Sequence, residues 1–165
     1  MPYNALRSIV HAGKIGDEAS PLLQVYDFIK AQKSLLFCGG IFLFSFALFS
    51  FISPNALVNG DAALYQQQIA HFDFSQRTIH LGYYLLGIPF IHLLPLPADY
   101  ALNLMNCFFG ALSIVLIFLI GLTVSKTFHA GFAASIFLLT NYIFAYNAVY
   151  AEVYIPQLFF FLLSF

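Results

Sequence analysis

Glu152 ends an almost uncharged apolar stretch, in Tyr150-Ala151-Glu152-Val153-Tyr154, and another apolar run follows it. A carboxylate at the end of a membrane helix is costly to desolvate, which makes it a functional candidate. Asp61 stands in a similar place after the first apolar segment, in Asn59-Gly60-Asp61. On one face of a membrane the two acids could frame one site; on opposite faces they could not. Each also has a simpler reading. Asp61 can be the N-cap of the helix that follows it, and Glu152 can be a boundary acid facing water.

Composition sets the solvent these residues work in. Of 165 residues, 61% are hydrophobic and 8% charged. Soluble domains carry roughly 25% charge, so the chain reads as an all-α integral membrane protein whose first partner is the lipid bilayer. A net charge of −1 gives no basis for binding nucleic acid. The many Phe residues lie mostly inside the apolar runs, as packing or lipid-facing bulk. Cys38 and Cys107 also lie in apolar segments, where Cys acts as a small hydrophobe, so no disulfide is expected. No Cys or His spacing of a metal motif is present.

The elements that must position the two acids follow from hydropathy. Residues 1–34 are a mixed polar leader, with a short amphipathic helix starting at Pro21. The first span covers about 35–53 and is closed by Pro54 and Asn55. No small-residue cleavage site follows it, so it is a retained anchor. Lys30 and Lys33 precede it, which places the N-terminus in the cytoplasm and Asp61 outside. Residues 54–99 form an external loop with interfacial helices, the first over 62–70. Residues 82–94 are apolar but short, and carry Gly87, Pro89 and His92; that length suits an interfacial element better than a span. Spans at about 100–124 and 130–149 then run inward and outward, and Glu152 emerges beside Asp61. A fourth span begins at 155–165 and stops short of the ~20 residues a crossing needs, so the sequence reads as the N-terminal part of a longer protein. Gly110 with Ser113, Ala130 with Ala134 and Gly131 with Ser135 have the spacing of close helix packing. Asn103, Asn106, Asn141 and Asn147 read as interhelical hydrogen-bonding groups or as substrate contacts.

Four features occur in an order that resembles the membrane glycosyltransferases of the GT-C superfamily, in particular the branch of the protein O-mannosyltransferases. They are Gly60-Asp61-Ala62-Ala63-Leu64-Tyr65, then His80-Leu81-Gly82-Tyr83-Tyr84-Leu85-Leu86-Gly87, then Asn103-Leu104-Met105-Asn106-Cys107-Phe108-Phe109-Gly110-Ala111, then Ala151-Glu152-Val153-Tyr154. The likeness runs from about residue 35 to the end and covers the N-terminal part of such a protein. Two prolines of that branch's His segment are absent here. Leu64 stands near where the branch often has a second acid.

The resemblance implies a GT-C type helix bundle that transfers a sugar from a polyprenyl-phosphate donor to a protein, lipid or glycan acceptor. It implies a multi-pass protein of the bacterial inner membrane or its equivalent, with the reaction on the non-cytoplasmic face. Displacement at the anomeric carbon needs a base for the acceptor hydroxyl, and Asp61 suits that role. Glu152 could orient Asp61, share a divalent metal with it, or bind the acceptor; that ion is the one cofactor the residues suggest. Arg77 and His80 are the external groups available to the lipid phosphate, unless they are solvated loop residues. Tyr83 and Tyr84 are interfacial aromatics or sugar contacts. A non-catalytic membrane scaffold or subunit, and a transporter fragment coupling cations through the two acids, remain as alternatives.

Overall fold

The computed structural model describes residues 21–54, 60–73 and 80–165, with side chains at 34–54, 62–73 and 80–165. All regular structure among the described residues is helical. The helices are α1 (Pro21–Ile52), α2 (Gly60–His71), α3 (Leu81–Leu93), α4 (Ala98–Ser125), α5 (Phe128–Thr140), α6 (Tyr142–Val149) and α7 (Tyr154–Leu163). The chain divides into two compact units, Met1–Gly39 and Gly40–Phe165. What is described of the first is the start of α1, which opens on Pro21, where a missing N–H costs no helical bond. The site lies in the second.

Among the described residues, two helices are long and apolar enough to cross a membrane, Ser34–Ile52 of α1 and the whole of α4; α5 and α6 would add a third if the bent pair is one span. The 28 residues of α4 span about 42 Å at 1.5 Å each, more than a hydrocarbon core of ~30 Å. α1 ends just before Ser53 and Pro54, because the residue preceding proline is pushed out of helical geometry.

The 82–94 stretch forms α3, of 13 residues, with Pro89 inside it. Its buried face is Tyr83, Tyr84 and Gly87. A Cβ on Gly87 would stand 2.7 Å from Ile69 Cδ1 and 3.2 Å from Leu102 Cδ2, so the glycine lets α2 and α4 close on α3. α2 stops at Phe72, whose φ of 53° turns the chain. The Asp73 N–H then donates to Gln68 O, closing the helix end. The Phe72 ring stacks on His92 at 4.5 Å, and His92 Nε2 lies 3.2 Å from Ile69 O. α2 and α3 are thereby clasped as a pair.

α4 and α5 form a tight hairpin around Lys126 and Thr127. Lys126 takes the left-handed conformation that ends α4. Gly121 and Gly131 face one another so closely that a Cβ on either would meet backbone of the other helix, Gly131 Cα at 2.9 Å or Phe118 O at 2.6 Å. The expected span over 130–149 is not one helix. It breaks at Asn141 with a bend of 67°. Asn141 Oδ1 accepts from Phe144 N at 3.0 Å and so caps a new helix, α6. The expected N-cap role of Asp61 also shifts: α2 begins at Gly60, which puts the Asp61 backbone inside the first turn.

Candidate functional site

The end of α1, the start of α4 and the end of α6 meet at one end of the bundle, tied by side chains that bond to backbone. Ser53 Oγ donates to Val149 O at 2.8 Å. Asn103 Nδ2 donates to Pro54 O at 2.9 Å. Asn106, one turn further along α4, directs Nδ2 at Tyr150 O and Glu152 O, both at 2.6 Å, and at Asn147 O at 3.3 Å. An amide has two N–H donors, so one of them is shared. These carbonyls lie at and beyond the last turn of α6, where a helix leaves its C=O groups unpaired. Asn106 supplies the missing donor and holds the backbone of Glu152 in place.

The same contacts fix connectivity. α1 ends where α4 begins, so the intervening chain leaves and returns at one end of the bundle. α2 and α3, of 12 and 13 residues, belong to that end. α4 runs away from it, and α5 with α6 comes back.

An aromatic group sits at this end. The Tyr65 ring of α2 lies 5.3 Å from Tyr83, 6.0 Å from His80 and 6.2 Å from Tyr84. The Asp61 backbone is one helical turn before Tyr65. The Asp61 side chain and the whole of Arg77 lie outside the described residues. Burial, then the negative charge of Glu152, then Tyr65, hold the Tyr83 hydroxyl well above the ordinary tyrosine pKa. It stays protonated, with Glu152 in electrostatic reach. Tyr84 moves in the same direction through burial, Tyr65 and Asp73.

A cavity of about 260 Å³ opens between the first turns of α3 and α7. His80, Tyr83, Val153, Pro156, Gln157 and Phe160 line most of it. Of the expected site residues, His80 and Tyr83 line it; Glu152 does not, and precedes the lining residue Val153. Tyr84 is fully buried in the hydrophobic core and does not line the cavity.

Gln157, Phe160 and Ser53 were not singled out from the sequence. Gln157 did carry a signal, as the one polar side chain of the apolar run that forms α7. Four buried polar atoms of this region have no hydrogen-bond partner: Tyr83 Oη, Gln68 Oε1, Asn103 Oδ1 and Asn106 Oδ1. Buried polar groups are rarely left unpaired. Among the described residues no group of three His, Cys, Asp or Glu could hold a metal ion; a divalent cation would need Glu152 together with Asp61. Chemically, the cavity offers the imidazole of His80 and the amide of Gln157 in a largely apolar wall, with the Glu152 charge acting on Tyr83 nearby.

No family model, curated protein or solved structure matches this chain.

Proposed function

We propose that the chain is a GT-C type membrane glycosyltransferase or a part of one, with α2, α3 and Glu152 on the non-cytoplasmic face. The donor is a sugar on a polyprenyl phosphate. In the reaction the acceptor oxygen bonds to the anomeric carbon as the bond from that carbon to the phosphate oxygen breaks. The acceptor proton goes to a carboxylate, for which Asp61 is the candidate, and the polyprenyl phosphate leaves with the bonding pair. Glu152 assists by binding the acceptor, by orienting Asp61, or by sharing a divalent cation with it. Arg77 and His80 are assigned to the phosphate.

The observation that supports this reading is the bundle end itself. The stretch that leads to Asp61 and the stretch that carries Glu152 are bound to the same face of α4 by Asn103 and Asn106. A small cavity with hydrogen-bonding walls opens beside them.

The test supplies sugar-labelled polyprenyl-phosphate hexoses to membranes with and without the chain. Transfer of label out of the lipid fraction should depend on the chain and fall about 100-fold or more in Asp61→Asn, the loss typical of a missing general base. Equal transfer by wild type and Asp61→Asn, or none above control membranes, rejects the reading.

A further inference from the structure

We propose that one water molecule is bound inside the protein where α1, α4 and the end of α6 meet, donating to Asn103 Oδ1 and Asn106 Oδ1 and accepting from the Ser50 hydroxyl. The site goes beyond the glycosyltransferase reading and does not depend on it.

Unmet hydrogen bonds are the first argument. Asn103 and Asn106 are both fully buried. Their Nδ2 atoms donate to backbone carbonyls, but their Oδ1 atoms have no partner. Ser50 Oγ is a third buried atom of this region without one. Other hydroxyls in these helices are paired locally. Ser45, Ser113, Ser125, Ser135 and Thr140 each turn back to the carbonyl four residues earlier, as helix hydroxyls commonly do. Ser50 does not. Each buried orphan opposes folding, and a shared partner relieves all three at once.

Position is the second. Asn103 and Asn106 are three residues apart on α4, so they are neighbours on the helix surface, with Cβ atoms ~5–6 Å apart. The Asn103 bond to Pro54 O sets the level of α1 against α4. Moving away from that end of the bundle, Ser50 lies about 6 Å along α1 and Asn106 about 4.5 Å along α4, from the rise per helical residue. Ser50 and Asn106 are thus nearly level. The Cys107 thiol, one turn beyond Asn103, interacts with both the Ser50 and the Ser53 hydroxyls; a thiol is a weak partner and leaves Ser50 Oγ without a hydrogen bond. Ser53, one turn from Ser50, donates to Val149 O, and Asn106 donates to the adjoining Tyr150 O. The three orphans belong to one junction.

Stoichiometry is the third. Two of the orphans are amide oxygens, which only accept; the third is a hydroxyl, which can donate. Water has two O–H donors for the first pair and an oxygen for the last. About three bonds to otherwise unpaired groups are usual for a buried water. Ca²⁺ and Mg²⁺ take about six or more oxygen ligands, and the backbone carbonyls of this junction are already bonded to Asn103, Asn106 and Ser53. Bound in this way, the water fixes the Asn106 amide plane, and with it the direction of Nδ2 towards Glu152 O.

The experiment uses the full chain in lipid nanodiscs with isotopically labelled asparagine. Water-to-amide NOE and ROE spectra separate a long-lived bound water from passing solvent by the relative sign of the two peaks. In the wild type, which tests the site without any substitution, the side-chain amides of Asn103 and Asn106 should both show the bound-water signature. Ser50→Ala removes one of its three bonds. The signature should weaken at both residues, and hydrogen exchange at Asn106 Nδ2 should speed up about fivefold, the effect of one lost hydrogen bond. Ser113→Ala, whose hydroxyl is bonded within α4, should change neither. Sodium, potassium and magnesium chlorides are titrated into the same sample and should leave both amides in place. No bound-water signature in the wild type, a signature that Ser50→Ala leaves unchanged, or a saturable shift of both amides with one of the salts, which would put a cation there, overturns the proposal.

Discussion

Asn106 connects sequence to site through one amide. It is fully buried, and its Nδ2 reaches carbonyls 41, 44 and 46 residues away. Asn106→Ala leaves those carbonyls without their donor, so it should cost about 2–3 kcal/mol, the penalty for unpaired buried groups, read by denaturant unfolding in micelles. Asn106→Asp, similar in shape but without the N–H donors, should fare no better. Tyr83→Phe should do the opposite and raise stability by up to ~1 kcal/mol, because a hydroxyl left unpaired on burial opposes folding. The same residue sets a pH effect. The folded state holds the Tyr83 proton more tightly than the unfolded chain does. Titration of this group therefore leaves stability unchanged below the unfolded pKa of about 10 and lowers it as pH rises beyond that, because the unfolded chain gives up the proton first. Melting midpoints recorded across that range should fall less steeply in Tyr83→Phe than in wild type, with Tyr84 retaining part of the slope. Sequence made Asn103 and Asn106 legible as interhelical hydrogen-bonders. Their targets were not legible, since a carbonyl partner has no residue type to read. Gln157 was overlooked because one amide in an apolar run has no periodicity to announce it.

Among the elements, the α4–α5 hairpin was the most readable. Gly131 and Ser135 do face α4, and Ser135 Oγ reaches Ile114 O at 3.4 Å. Their partner is Gly121, whereas Gly110 lets Ala148 of α6 and Phe49 of α1 come close. Spacing tells which face of a helix is thin; it does not tell which neighbour uses it. A Cβ at residue 131 would sit 2.6 Å from the Phe118 carbonyl oxygen. That neighbour is backbone and cannot swing aside. Gly131→Ala should therefore destabilise the hairpin by about 1–3 kcal/mol, the usual cost of overpacking, in micelle unfolding. Gly39→Ala, where an added Cβ meets nothing within 4 Å, should cost no more than a few tenths and gain helix propensity. The break at Asn141 was hidden by hydropathy, which is as high on both sides of it. What decides it is local: Thr140 Oγ1 turns back to Ile136 O at 2.8 Å, and Asn141 caps Phe144. Thr-Asn within an apolar run thus reads better as a helix stop and restart than as two polar contacts.

For the molecule as a whole, the decisive question is how many times the chain crosses between Asp61 and Glu152. Hydropathy already disfavoured a crossing by 82–94 on length, and the clamp around Asn103 and Asn106 gives an independent reason. A crossing by α3 would carry the start of α4 to the far end of the bundle, away from Pro54. The Asn103 bond to Pro54 O at 2.9 Å holds the end of α1 and the start of α4 at one end of the bundle. From the shared end, α4 goes out and the α5–α6 pair returns, so Glu152 comes back to the level of Ser53. Single-cysteine variants at Ala63, Ser125 and Tyr154, in a background lacking Cys38 and Cys107, turn this into a measurement with a membrane-impermeant thiol reagent on intact cells. Tyr154 serves better than its neighbour Ala151, being 61% exposed against 2%. Ala63 and Tyr154 should label from the same side and Ser125 only after permeabilisation. Labelling of Ser125 with Ala63 in intact cells, and protection of Tyr154, would put a membrane between the two acids and remove the basis for a shared site. Agreement would mean that a 67° bend can be accommodated within one crossing, because Asn141 and Thr140 satisfy the backbone groups the break releases inside the bilayer.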